Sequence, residues 1–98
     1  IWTMDLDGGD PRQVTDYPGL VIQARMTRDG SRAFANVPLA VQNILFDPRM
    51  GAADQKVERL PPFADGLVFS AYSWSPDGRY IAGHPLSARN GIFVYDVA

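Results

Sequence analysis

Catalytic chemistry has few residues to start from in this sequence. There is one histidine, His84, and no cysteine. Thiolate chemistry and disulfides are therefore excluded, and a zinc site has almost no ligands to draw on. A serine triad needs a histidine beside a strained nucleophile, and no Gly-x-Ser-x-Gly elbow occurs. Ser70, Ser73, Ser75 and Ser87 sit in strand-like or loop-like contexts. His84 precedes Pro85 and reads as a loop residue leaving a strand. Asp5, Asp7 and Asp10 are close enough to suggest a cation site, but they lack the spacing and distal glutamate of a calcium loop. They read as a solvated turn. Neither a phosphate-binding loop nor a Gly-x-Gly-x-x-Gly fingerprint is present. No catalytic residue, metal or cofactor is expected.

Charge narrows the partners. Nine Lys and Arg stand against eleven Asp and Glu, for a net charge of −2. The two signs interleave, so no cationic stripe exists to hold phosphates, and nucleic acid is not an expected partner. No apolar run reaches the ~18 residues a spanning helix needs, so membrane insertion is not expected. Ile1 to Asp5 lacks the cationic and apolar regions of a leader and reads as mid-strand, as in an excerpt of a longer chain.

The elements that would position any site come from an internal repeat. Residues 26–35 match residues 74–83, with Asp29-Gly30 recurring as Asp77-Gly78 at an offset of 48. Trp2-Thr3-Met4-Asp5, Ile44-Leu45-Phe46-Asp47 and Phe93-Val94-Tyr95-Asp96 form a second family, and residues 12–15 match 58–61. Segments recurring in one order at a period of 40 to 50 residues suit a four-stranded propeller blade. The predicted innermost strands are 21–26 and 68–74, followed by 32–36 and 79–83. Third come 1–6, 42–47 and 92–97, rich in β-branched and aromatic residues. The short outer strands are 12–15 and 57–60. Asp29-Gly30 and Asp77-Gly78 predict two-residue hairpins, with Pro76 presetting φ in the second. Asp7-Gly8-Gly9 and Asp65-Gly66 mark further turns. No segment keeps a 3.6-residue period clear of Gly and Pro, so no long helix is predicted. Trp2, Phe46, Phe69, Tyr72, Trp74, Phe93 and Tyr95 fall at recurring strand positions and read as packing between sheets.

These motifs carry a family resemblance. Residues 1–15 closely resemble the third-to-fourth strand signature of TolB-like, WD40-like β-propeller repeats. Trp74-Ser75-Pro76-Asp77-Gly78-Arg79-Tyr80-Ile81-Ala82 resembles their first-to-second strand signature. The middle copy departs from it, with Met26-Thr27-Arg28 and Pro48-Arg49-Met50-Gly51, which leaves the tightness of its turns open. The resemblance implies an all-β fold: a propeller fragment of about two to three four-stranded antiparallel blades. Residues 1–15 would end one blade, 20–60 form the middle one and 67–98 start the next. It also implies a non-catalytic scaffold for a protein or peptide, in a periplasmic or extracytoplasmic setting. The remainder of a longer propeller, or copies of the chain, would cover the open blade faces. Such repeats also form the substrate-gating propellers of prolyl-oligopeptidase-like and tricorn-like peptidases. They further occur as sensor propellers of bacterial kinases and transcriptional regulators.

Binding in this layout falls on the rim loops 15–19, 37–41, 61–66 and 84–90. Their candidate contact residues are Asp16, Tyr17, His84, Arg89 and Asn90, since Tyr and Arg make effective binding anchors. Gln23 and Arg25, on an inner strand, are further candidates to line a channel.

Overall fold

The computed structural model describes residues 1–38, 42–62, 68–85 and 91–97. Every predicted strand segment forms a strand, in three antiparallel sheets. The first pairs β1 (Trp2–Thr3) with β2 (Arg12–Gln13). The second is a meander of β3 (Ile22–Met26), β4 (Ala33–Val37), β5 (Gln42–Phe46) and β6 (Glu58–Arg59). The third runs through β7 (Phe69–Trp74), β8 (Tyr80–Pro85) and β9 (Phe93–Asp96). None of the described residues is α-helical.

The two Asp-Gly hairpins are built differently from the prediction. A two-residue turn of that type needs positive φ at both central residues. Only Gly30 and Gly78 take it, at 73° and 72°, and Asp29 and Asp77 do not. Each is instead a longer loop around a β-turn closed by glycine. Gly30 N donates to Thr27 O and Gly78 N to Ser75 O, at 3.0 and 2.9 Å. The strand ends are joined by Thr27 N to Arg32 O and Ser75 N to Tyr80 O, both 2.8 Å. The Thr27 hydroxyl donates to Asp29 Oδ1 at 2.8 Å and the Ser75 hydroxyl to Asp77 Oδ1 at 2.6 Å. The two loops therefore share these three bonds across the 48-residue offset. Thr27 supplies the same hydroxyl as Ser75, so the departure at Met26-Thr27-Arg28 leaves this turn as tight as its counterpart.

The sheets pack face on. One face of the middle sheet (Ala33, Ala35, Val37, Ile44 and Phe46) covers Val14 and Ile1 of the first. Its other face (Phe34 and Leu45) covers Phe69, Ala71 and Ile81 of the third. β4 is consequently buried at every position, as a strand covered on both sides must be. Burying Phe34 or Ile44 completely stabilises the fold by about 1.5–3 kcal/mol each. Side-chain amides and one indole sew the seams. Gln55 Nε2 donates to Val14 O at 3.1 Å, joining the first and middle sheets. Trp74 Nε1 donates to Arg25 O at 3.0 Å, joining the middle and third. Two of the aromatics expected between sheets are not buried there. Trp2 and Tyr72 are 63% and 51% exposed, and Tyr72 falls where the β7–β8 register slips.

Candidate functional site

A matched pair of β-bulges shapes the end of the seam between the middle and third sheets. The β3–β4 register slips between Ile22 and Arg25, and the β7–β8 register slips between Ala71 and Ser73. These places correspond across the 48-residue offset. A bulge adds one residue, bends its strand and re-aims a side chain. Here the extra residues bring Gln23 and Tyr72 to one cleft of about 210 Å³, lined also by Asn36, Gln42, Asn43, Phe69 and Ser70. Gln23 sits at φ 55°, in the left-handed region. Holding a non-glycine residue there costs about 1–3 kcal/mol, a strain that concentrates at ligand sites.

Asparagines form the floor. Asn36 and Asn43 are cross-strand partners on β4 and β5, and both are buried. Asn43 Nδ2 donates to Phe69 O at 2.7 Å, and Asn43 Oδ1 accepts from Ala71 N at 3.1 Å. The amide thus pairs with the edge of β7 as another strand's backbone would. Asn36 Nδ2 donates to Asn43 Oδ1 at 2.7 Å and more distantly to Ala71 O at 3.4 Å. Asn36 Oδ1 is buried with no hydrogen-bond partner among the described residues. A buried acceptor left unpaired costs about 1–3 kcal/mol.

The rim residues take varied places. Tyr17 is half-buried against the first seam. Its hydroxyl donates to Gln42 Oε1 and accepts from Arg59 Nε, both at 3.1 Å. It is a tether that fixes Gln42 at the cleft margin. Asp16, one residue before it, is exposed. His84 lies within β8 rather than in a loop leaving it, because its backbone pairs with Ser70. Its ring leans on Tyr72, with centroids 5.2 Å apart. Neither Tyr17 nor His84 lines the cleft, but each touches one residue that does, Gln42 and Tyr72 respectively. Arg89, Asn90 and the Asp65-Gly66 turn lie outside the described residues. Arg25 is exposed on β3, with its carbonyl taken by Trp74.

Sequence reasoning missed Asn36, Gln42 and Asn43 as site residues. A signal was there: asparagine is disfavoured in strands, yet it interrupts two apolar runs that pair with each other. A buried polar residue in such a run has to find a partner.

The cleft's chemistry is neutral. Amides, a serine hydroxyl and a phenol can donate to and accept from an uncharged polar group, with an aromatic ring beside them. The perturbed ionisable groups lie elsewhere, in the turns at the other end of the sheets. The Ser31 hydroxyl and amide, with the Thr27 hydroxyl, hold Asp29 down at about 2. The Ser75 hydroxyl lowers Asp77, and the Arg49 guanidinium lowers Asp47. These carboxylates cap turns. The Asp7 carboxylate does the same, accepting from Gly9 N at 2.8 Å. Among the described residues no three His, Cys, Asp or Glu side chains are grouped to hold a metal ion, and no helix is long and apolar enough to cross a membrane. No family model matches the chain, and no curated protein or solved structure matches it either.

Proposed function

We propose that this chain is a segment of a β-propeller that serves as a non-catalytic scaffold binding a protein or peptide at its rim. The observation that carries the reading is the face-on stacking of like sheets with an uncharged polar cleft at one end of a seam. The middle sheet presents one face to the sheet before it and the other to the sheet after it, and the third sheet meets the middle one in the same sense. Ala33, Ala35, Ile44 and Phe46 of the middle sheet correspond to Ile81, Gly83, Phe93 and Tyr95 of the third. Stacking that repeats in one direction is what blades around an axis require. The partial resemblance to TolB-like repeats points the same way and suggests an extracytoplasmic setting.

The site's chemistry supports binding rather than turnover. The cleft brings together hydrogen-bonding groups and an aromatic ring, which is how a scaffold holds an extended peptide. Selecting a displayed random-peptide library on the full chain tests this. Enriched peptides should compete with one another and remain uncut. Their binding should fall on Tyr72→Ala and persist on Arg49→Ala, a change at the opposite end of the sheets. Failure to enrich any peptide, or binders indifferent to Tyr72→Ala, would reject the reading.

A further inference from the structure

We infer that the cleft between the middle and third sheets is a receptor for one uncharged amide side chain, glutamine or asparagine, carried by an extended segment of a partner protein. The inference rests on the peptide-binding reading above and names what the site selects.

Size sets the first limit. The cleft holds about 210 Å³, below the roughly 300–1,000 Å³ of pockets that enclose a whole small molecule. It suits a single side chain presented from outside.

Charge sets the second. Ile22, Gln23, Asn36, Pro38, Gln42 and Asn43 line one side and Phe69, Ser70 and Tyr72 the other. None of these is an aspartate, glutamate, histidine, lysine or arginine. No side chain lining the cleft would pair with a carboxylate or ammonium entering it, whereas an amide meets groups that match it.

Hydrogen-bond polarity sets the third. Tyr17 occupies Gln42 Oε1, so Gln42 offers its Nε2 as a donor. Asn43 is committed to the β7 backbone. Asn36 keeps a buried acceptor, Oδ1, without a partner among the described residues. A primary amide answers both: its oxygen accepts from Gln42, and its N–H donates to Asn36 Oδ1 once a small rotation of that side chain opens the buried oxygen to the cleft. Its plane can lie against the Tyr72 ring, which His84 backs. The left-handed backbone at Gln23 supports the same assignment, since that residue is held at the cleft in a conformation a strand does not require.

The test is a titration of the isotopically labelled full chain with three capped tripeptides. Each has alanine on both sides of a central glutamine, glutamate or alanine, and an N-methylamide end, so that only the glutamine peptide carries a primary amide. Saturable shifts should appear at the Asn36, Gln42 and Gln23 side-chain amides with the glutamine peptide. The glutamate and alanine peptides should bind at least about tenfold more weakly, the factor that 1.4 kcal/mol produces. Tyr72→Ala should remove the shifts while leaving the backbone spectrum dispersed. Equal binding of the three peptides, or shifts confined to other residues, would overturn the inference. So would no binding by any tripeptide while library-selected peptides still need Tyr72, and that result would leave the scaffold reading intact. If the library also yields nothing, both fall.

Discussion

An aspartate that holds a turn together with its ionised carboxylate ties that turn to pH. Asp29 accepts from the Ser31 amide and hydroxyl and from the Thr27 hydroxyl. Protonation removes acceptor capacity, so these bonds favour the charged form and hold its pKa at about 2, against about 3.9 for an unfolded aspartate. The sign follows from linkage. The folded pKa is depressed, so the contribution is complete above about pH 4 and fades as pH falls toward 2. Asp77 and Asp47 shift in the same direction and share that acid limb. Asp29→Asn keeps the side chain's shape and one acceptor oxygen but cannot titrate. Its urea midpoint should therefore fall less steeply between pH 5 and pH 2.5 than that of the unaltered chain. An unchanged acid slope in the variant would show that Asp29 does not carry its share. The turn at Asp29-Gly30 was readable from residue types, whereas its bonding was not. The pair Asp-Gly suggested the shortest hairpin, and the Thr27 hydroxyl, three residues before Gly30, decided for the longer loop.

Among the elements, β8 is tightly constrained at Gly83. A Cβ on Gly83 would lie 2.1 Å from Ser70 O and 2.6 Å from a ring carbon of Phe69. The first is backbone in the paired strand β7, and the second belongs to a buried ring that stacks on Tyr95. Neither can retreat without opening the seam. Gly83→Ala should therefore destabilise the fold by about 1–3 kcal/mol or more, whereas the corresponding position in the middle sheet, Ala35, already holds a methyl group. Thermal unfolding followed by circular dichroism would check this, and a melting temperature within a degree of the unaltered chain would count against it. The strands themselves were legible because alternation, β-branched residues and the Asp-Gly pairs agree with one another over each segment. Their bulges were not. A bulge adds one residue without altering composition, so the register slips at Gln23 and Tyr72 left no mark on the pattern, although they shape the cleft. The same holds for the exposure of β3. It reads as an inner strand, yet every position is exposed. The two-stranded first sheet lies against the apolar residues of β4 and β5, beyond its reach.

At the scale of the whole molecule, the stacking leaves two unlike faces uncovered among the described residues. Trp2 of the first sheet and Met4, just beyond its β1 strand, are 63% and 64% exposed. They correspond to Ile44 and Phe46, which are buried against the first sheet. At the other end Ile92 and Val94 are 74% and 57% exposed. Val94 corresponds to Leu45, which is buried against the third sheet. Each open face thus repeats one side of an interface already present inside the chain, and the two sides are complementary. Contacts of this kind are heterologous: they join head to tail and continue until a ring closes or another sheet caps them. The chain should therefore associate as its concentration rises, through the Trp2 face of one copy and the Val94 face of the next. Trp2→Glu and Val94→Lys each spoil one face and leave the other intact. Either variant alone should sediment as a monomer, since its one good face finds no complement. Their equimolar mixture should form a dimer and stop there, because the intact Val94 face of one meets the intact Trp2 face of the other while both spoiled faces point outward. A two-fold interface predicts the opposite: the variant that keeps the self-complementary face would dimerise alone, and mixing would add nothing. Sedimentation velocity on the two variants and their mixture separates these cases.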